Sequence, residues 1–146
     1  SMEDAIADPL YQYQTYVKMC AAGQPTYWME YPGNHGSVTS NAIMDSTVFK
    51  PWWKSVAAGV QPSGACAPIT PLVSRYFRYT APYVANALGV ALPAKSTVTL
   101  AATGDCRVVK GMLEPGLSGT CEVTVTVLVG KKRISSSSFT LRVREI

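Results

Sequence analysis

The sequence predicts an α+β protein built from two regions with different patterns. Near the start of the chain, apolar residues recur at helical spacing. Toward the end, apolar and polar residues alternate as they do in half-buried β-strands. A stretch rich in proline, glycine and serine separates the two patterns between Gln61 and Pro71. We therefore expect a first domain over residues 1–67 and a second over residues 68–146.

Composition and charge exclude several classes of protein. The chain has 146 residues, of which 47% are hydrophobic and 15% are charged, so it can bury a core. The net charge is +4, and the only basic run, Lys131–Arg133, is typical of a hairpin tip rather than of a nucleic-acid-binding surface. No apolar stretch approaches the roughly 18 residues of a membrane span. We expect neither a nucleic-acid partner nor a transmembrane segment.

The first predicted helix covers Pro9 to Ala22. Asp8 is placed to cap its N-terminus, and Gly23 follows where the helix should end. Apolar residues at i, i+3 and i+4 spacing form its buried stripe: Leu10, Tyr13, Tyr16, Val17 and Cys20. An amphipathic helix near the start of the first domain follows from this pattern.

An aromatic segment and a second helix complete the first domain. Thr26–Tyr31 is short and aromatic and ends at Pro32-Gly33, which predicts a strand followed by a loop over Pro32–Ser37. Val48–Ala58 contains two adjacent tryptophans and is followed by Gly59, which predicts a helix with Pro51 in its first turn.

The second domain is predicted to be a small β-sandwich with one short helix. Tyr83–Leu88 is the expected helix, and Gly111 and Gly130 mark turns. The expected strands are short and regularly spaced: Val73–Tyr79, Thr97–Ala101, Cys106–Val109, Glu122–Val129 and Ser138–Val143.

The four cysteines could form two disulfides or one metal site. A zinc site favours close pairs such as C-x-x-C, which are absent, and the single histidine is not close in sequence to any cysteine. Of the three possible pairings, the local organisation favours Cys20–Cys66 with Cys106–Cys121; four reduced, buried thiols are the alternative. Disulfides imply an oxidising compartment, so we expect a secreted or cell-surface protein. One histidine and scattered carboxylates form no ligand cluster, so we expect no metal or cofactor.

Six features follow one another in the first domain. The acidic loop Glu3–Pro9 precedes a helix ending in Cys-Ala-Ala-Gly, the aromatic strand, and the motif Pro-Gly-Asn-His-Gly. A tryptophan-bearing helix ending in Ala-Ala-Gly and a closing cysteine complete the series. In this order they resemble the C-terminal end of a secreted α/β-hydrolase of the secretory lipase and esterase kind. The resemblance covers residues 3–66 and implies a helix–strand–helix segment of that fold.

This resemblance implies two members of a Ser-His-Asp triad. In α/β-hydrolases the triad residues occur in the order Ser, Asp or Glu, His. The acid is then expected in the loop before the helix and the base in the loop after the last strand. His35 is the candidate base, and Asp4 is the candidate acid that would orient its imidazole. Asp8 is the less favoured acid because it suits the helix cap.

The nucleophile of such an enzyme is missing from this sequence. An α/β-hydrolase carries its serine on a G-x-S-x-G turn, and the nearest match, Gly116–Gly119, lacks the final glycine. We expect an N-terminal hydrolase polypeptide to carry the serine, with an ester or lipid as substrate and no activity in this chain alone. The Cys20–Cys66 bridge would tie the segment after the last helix to the hydrolase body.

The three tryptophans admit two interpretations. Trp28, Trp52 and Trp53 could contact an acyl substrate, but packing in the core is the commoner role of such residues. The substrate-binding residues therefore stay unassigned.

The second domain resembles a different kind of protein. Its most specific part is Gly119–Val127, Gly-Thr-Cys-Glu-Val-Thr-Val-Thr-Val, together with Leu88–Ser96 and Cys106–Val108. These segments resemble a small Ig-like β module of secreted actinobacterial proteins, which implies a stalk, attachment or stabilising role. The alternative function for the whole chain is accordingly a non-catalytic secreted adhesion or binding protein.

Overall fold

A computed structural model describes residues 5–144 and has an α+β fold. Its helices are α1 (Pro9–Ala21), α2 (Ser37–Met44), α3 (Phe49–Ala57) and α4 (Ala81–Ala87). Its strands are β1 (Leu72–Val73), β2 (Tyr79–Thr80), β3 (Ser96–Gly104), β4 (Cys106–Val109), β5 (Met112–Pro115), β6 (Gly119–Val129) and β7 (Lys132–Val143).

The strands form two sheets. The larger sheet has the order β1-β7-β6-β3, in which β1 runs parallel to β7 and the other neighbours are antiparallel. The smaller sheet has the order β2-β5-β4 and is entirely antiparallel. The predicted strand pattern of the second domain thus corresponds to two antiparallel-rich sheets.

The described chain divides into two compact units. Unit 1 contains residues 5–7 and 15–69, and unit 2 contains residues 8–14 and 70–144. The first part of α1 therefore belongs to unit 2, because its Leu10 is fully buried in the core of that unit. The remainder of α1 belongs to unit 1.

Unit 2 has one hydrophobic core that both sheets share. The alternating residues of β6 supply Cys121, Val123 and Val125 from the larger sheet, and β5 supplies Leu113 from the smaller one. Further buried core members come from both sheets and from α4: Val73, Tyr79, Val84, Ala85, Cys106, Leu141 and Val143. The disulfide between Cys106 and Cys121, with Cα atoms 5.5 Å apart, joins the two sheets through this core.

The predicted strand Val73–Tyr79 is wrong in its middle. Leu72–Val73 belongs to the larger sheet and Tyr79–Thr80 to the smaller one, so the chain changes sheets between them. Ser74 holds this change of direction: its N–H donates to the Tyr79 hydroxyl at 3.1 Å, and its C=O accepts from the Phe77 N–H at 3.1 Å. A local turn replaces the ladder that one continuous strand would have required.

In unit 1, the end of α1 agrees with the prediction within one residue. Gly23 has a φ of +79°, a left-handed conformation that glycine adopts without strain. Its N–H donates to the Cys20 C=O at 2.9 Å, and the Gln24 N–H donates to the Met19 C=O at 3.0 Å. These two bonds satisfy carbonyls that the helix itself leaves unpaired.

One prediction for unit 1 is wrong and one helix was not predicted. Thr26–Tyr31 is irregular and belongs to neither sheet, because no strand among residues 5–144 pairs with it. The loop predicted over Pro32–Ser37 is present to within one residue, and it leads into α2 (Ser37–Met44), which the sequence pattern did not reveal. The helix predicted over Val48–Ala58 is present as Phe49–Ala57.

Candidate functional site

The loop that carries His35 is braced by the side chains on either side of the histidine. The Asn34 Oδ1 atom accepts hydrogen bonds from the N–H groups of Gly36 and Ser37, both at 3.0 Å. In return, the Ser37 Oγ atom accepts from the Asn34 N–H at 2.9 Å. This reciprocal pair fixes the backbone on both sides of His35 and begins α2.

A second set of contacts fixes the entry to the loop. The Asn41 side chain in α2 donates to the Pro32 C=O at 2.6 Å. Gly33 has a φ of +112°, and a Cβ atom there would collide with the Ser37 hydroxyl, so only glycine fits. His35 lies in the turn between these braces and is exposed to solvent. A fixed loop therefore presents an accessible imidazole.

Asp45 anchors the segment that leads into this loop. Its Oδ2 atom accepts from the Tyr31 hydroxyl at 2.8 Å, and its Oδ1 atom accepts from the Thr47 N–H at 2.8 Å and the Thr47 hydroxyl at 2.7 Å. The Thr47 and Tyr31 hydrogen bonds hold the pKa of the Asp45 carboxyl well below its usual range. Burial first, and then Asp45, raises the pKa of Tyr31 to about 12.

Sequence reasoning missed Asp45 and its role. The signal was the local pattern Asp-x-Thr shortly before a helix, which is typical of an N-terminal cap. Asp45 also accepts from the Phe49 N–H at 3.1 Å, at the start of α3. Its carboxylate oxygens are committed to structural hydrogen bonds.

Two apolar grooves lie on unit 1. One has a volume of about 390 Å³ and its lining includes residues on both sides of the His35 loop: Tyr27, Met29, Tyr31, Val38, Ile43 and Trp52. The other has a volume of about 460 Å³, and its lining includes Trp28, Trp52 and Pro62. Tyr31 lies four residues before His35 and Val38 three residues after it, so the first groove adjoins the histidine loop along the chain.

None of the three tryptophans is fully buried. Trp52 is partly buried, and its ring centroid lies 5.7 Å from that of Tyr27 and 5.6 Å from that of Phe49. Trp28 is partly buried and packs edge-on against Tyr16, with centroids 5.7 Å apart. Trp53 is 58% exposed. These rings form an aromatic surface rather than a closed core.

The aromatic segment after α1 has an unpaired backbone. The backbone groups of Tyr27, Trp28 and Met29 make no hydrogen bond to any residue in the 5–144 range. Just before them, the Thr26 C=O accepts from the Cys66 N–H at 2.7 Å. N–H and C=O groups that no described residue pairs are available to another chain.

The Cys20–Cys66 disulfide holds the last segment of unit 1 to the end of α1. The Cα atoms are 5.6 Å apart. Beside the bridge, the Tyr16 hydroxyl donates to the Ala67 C=O at 2.7 Å, and the Tyr27 hydroxyl donates to the Pro62 C=O at 2.5 Å. The proline-rich stretch after α3 is thereby tied down at three points.

Of the two candidate acids, the structure describes only Asp8. Asp4 lies outside the residues that the structure describes. Asp8 belongs to unit 2, where its Oδ1 atom accepts from the Leu10 N–H and the Tyr79 hydroxyl, both at 2.9 Å. Its Oδ2 atom accepts from the Tyr83 hydroxyl at 2.6 Å. Asp8 thus caps α1 with a carboxylate that accepts three hydrogen bonds, and His35 belongs to unit 1.

Over residues 5–144, histidine, cysteine, aspartate and glutamate side chains form no group of three that could hold a metal ion. Among the same residues, no helix has the length and apolar character needed to cross a membrane. A comparison of the chain with protein-family models, curated proteins and solved structures finds no match.

Proposed function

We propose that unit 1 is part of a secreted serine hydrolase that cleaves carboxylic esters, with His35 as the general base. The observation that carries this proposal is the accessible imidazole on a loop braced by Asn34, Ser37 and Asn41. A catalytic base must be held in one orientation and must still reach its partner. The acidic loop, α1, the aromatic segment, the His-Gly loop and α3 follow one another along the chain in the order expected of a C-terminal α/β-hydrolase segment, although the aromatic segment is not a strand.

The proposed chemistry is acyl transfer to water. The His35 imidazole removes the proton from a serine hydroxyl as the serine oxygen attacks the ester carbonyl, and then gives that proton to the leaving alcohol. A water molecule, deprotonated by the same imidazole, then attacks the carbonyl of the acyl-enzyme and releases the acid and the serine. The serine belongs to an N-terminal hydrolase polypeptide, which we propose as the partner of this chain.

Asp4 is the proposed triad acid. A triad carboxylate must accept a hydrogen bond from the imidazole N–H, and both oxygens of Asp8 already accept hydrogen bonds from tyrosine hydroxyls. Asp8 also holds the first turn of α1. Because its carboxylate already serves the helix cap and two buried or partly buried tyrosines, Asp8 is the less favoured acid.

The surface of unit 1 supports a larger hydrolase body as the partner. Among its described residues, Tyr16 is the only hydrophobic side chain that is buried. Several large apolar side chains are exposed instead: Ile43, Met44, Val48, Trp53, Val56 and Val60. Exposed apolar side chains are typical of interaction surfaces where they cluster, and the backbone of Tyr27–Met29, which pairs with no residue in the 5–144 range, is available to a neighbouring strand.

The test is ester hydrolysis by the protein purified from its full-length gene. His35→Ala should lower kcat by about 10⁴-fold or more, whereas the matched control Ser40→Ala, an exposed residue of α2, should leave it unchanged. Circular dichroism should be the same for both variants. An active protein that tolerates His35→Ala, or the absence of any serine that a fluorophosphonate labels, would overturn the proposal.

The same assay separates the two acids. Asp4→Asn should lower kcat by about 10⁴-fold, because the imidazole would be held in the wrong tautomer. Asp8→Asn should leave kcat within about twofold and lower the stability of the protein instead. The reverse pattern would assign Asp8 to the triad.

We also propose that unit 2 is an Ig-like β-sandwich module of a secreted or cell-surface protein. Two sheets that share a core, and the Cys106–Cys121 bridge between them, support this assignment. Two disulfides and the absence of a membrane-spanning helix from residues 5–144 are compatible with an extracellular protein. Recovery of the native protein from culture medium rather than from cell extract tests the location.

A further inference from the structure

Four cations lie at one end of the larger sheet of unit 2. Lys131, Lys132 and Arg133 form the turn between β6 and β7 and the start of β7, and all three are exposed. Lys95, also exposed, directly precedes Ser96, the first residue of β3. Because Ser96 pairs with Val129 and Val129 pairs with Lys132, the sheet register brings Lys95 to the same end as the turn. We call this group the basic end.

Exposed apolar side chains lie near these cations in strand register or along the chain: Val129 pairs with Lys132, Ile134 follows Arg133, and Leu92 lies three residues before Lys95. Leu92, Val129 and Ile134 are 38%, 37% and 48% exposed, respectively. Ile134 has no partner in the ladder, because Val127 pairs with Ser135 and Leu128 pairs with Arg133. A β-bulge of this kind changes the direction of a side chain and increases the local twist.

Negative charge lies elsewhere in unit 2. Glu122 pairs with Thr103, which is seven residues along β3 from Ser96, or roughly 23 Å at the rise of a strand. Asp105 follows the far end of β3, and Glu114 is bound by Arg78 and Arg107. All basic residues of the chain except Lys18, Lys50 and Lys54 belong to unit 2. Asp8, the remaining described acid of unit 2, is engaged with Leu10, Tyr79 and Tyr83, so among the described residues of unit 2 no carboxylate is paired with the basic end.

We propose that the basic end binds the surface of an anionic phospholipid bilayer. Lysine and arginine side chains attract the negatively charged headgroups, and apolar side chains between them can enter the boundary with the acyl chains. A soluble polyanion would use the four cations but would leave Leu92, Val129 and Ile134 in water. The apolar side chains therefore favour a membrane over a nucleic acid or an acidic polysaccharide. This inference concerns unit 2 and does not rest on the proposed hydrolase function.

The experiment is vesicle flotation with the full chain. Vesicles of phosphatidylcholine and phosphatidylglycerol in equal amounts should bind it, and vesicles of phosphatidylcholine alone should bind much less. The double variant Lys131→Gln/Lys132→Gln should weaken binding by about thirtyfold, since each cation near such a surface contributes about fivefold. The control Lys50→Gln/Lys54→Gln removes the same charge from exposed positions of α3 and should change binding by less than about twofold.

A separate variant, Ile134→Ser, tests the contribution of the apolar side chains to vesicle binding. Ile134→Ser should weaken binding to the mixed vesicles by about fivefold and leave binding to soluble polyphosphate unchanged. Equal loss in the two double lysine variants would show that only net charge matters and would overturn the proposal. Mixed-vesicle binding that is unaffected by Ile134→Ser, or polyphosphate binding tighter than vesicle binding, would replace the membrane with a soluble polyanion. Absence of vesicle binding would also overturn the proposal.

Discussion

The two units of this chain are held together by different means. Within the 5–144 range, unit 2 contains every buried hydrophobic side chain except Tyr16. Two sheets and α4 enclose its core, and long antiparallel ladders pair the backbones of β3, β6 and β7. Unit 2 is built like an independent domain, in which apolar burial is the main source of stability.

Unit 1 relies on local and covalent contacts. Asn34 and Asp45 brace the starts of α2 and α3, and a disulfide ties α1 to the segment after α3. Its aromatic rings contact one another but are only partly covered. Secondary structure and a disulfide can therefore define a conformation, but a unit with so little buried apolar surface gains less stability from burial than unit 2 does.

The largest expected effect follows removal of the Cys20–Cys66 disulfide. Chain entropy predicts a stabilisation of about 4 kcal/mol for a bridge with a sequence separation of 46. Because unit 1 has so little core, Cys20→Ala/Cys66→Ala should abolish hydrogen-exchange protection over residues 15–69 and preserve it in β6 and β7. Exchange measured by mass spectrometry compares the two regions in one sample.

The matched variant for this comparison is Cys106→Ala/Cys121→Ala. It removes a bridge with a separation of 15 residues from a well-packed core, so it should weaken protection in unit 2 without abolishing it. If unit 1 keeps its protection without Cys20–Cys66, the proposed dependence of unit 1 on its disulfide is wrong.

The next largest effect contrasts a core residue with a surface residue. Leu141 is fully buried in unit 2, and Leu141→Ala should lower the free energy of unfolding by about 3 kcal/mol. Trp53 of unit 1 is larger but 58% exposed, and Trp53→Ala should cost less than about 0.5 kcal/mol. Urea unfolding of both variants provides the measurement. Equal losses would mean that the Trp53 side chain is covered in solution.

The elements with strong local signals could be predicted from the sequence. The apolar stripe and Gly23 define α1 within one residue, and the prediction of Cys106–Val109 matches β4. The alternation of β6 continues into the hairpin with β7 as expected, although both strands extend further than predicted. These signals are periodicities and turn residues, which act over a few positions.

The other elements depend on partners that lie far away in sequence. An aromatic run such as Thr26–Tyr31 becomes a strand only if another strand pairs with it, and none among residues 5–144 does so. The split of Val73–Tyr79 depends on which sheet accepts each end. For the candidate site, the sequence predicted a loop around His35. The bracing by Asn34 and Asn41 could not be predicted, because Asn41 reaches the Pro32 C=O from α2, a helix that the sequence pattern did not reveal.

The smallest predicted effect concerns the carboxylate that unit 2 holds at the start of α1. Asp8 caps the helix and accepts from Tyr79 and Tyr83, so Asp8→Asn should cost about 1–2 kcal/mol. Burial first, and Asp8 in addition, raises the pKa of both tyrosines. A raised folded-state pKa means that stability is fully present below the unfolded tyrosine pKa of about 10 and is lost as the pH rises above it.

The upward shift of the two tyrosine pKa values gives Asp8→Asn a second readout, the dependence of stability on pH. Asp8→Asn removes the negative charge that disfavours ionised Tyr79 and Tyr83, so stability should fall less steeply above about pH 10 than in the unaltered protein. Urea unfolding at about pH 8 and about pH 11 measures the slope, with the exposed Tyr76→Phe as control. An unchanged slope would mean that burial alone keeps both folded-state pKa values above the pH range measured. The loss measured at about pH 8 would then report the helix cap and its hydrogen bonds without any charge coupling.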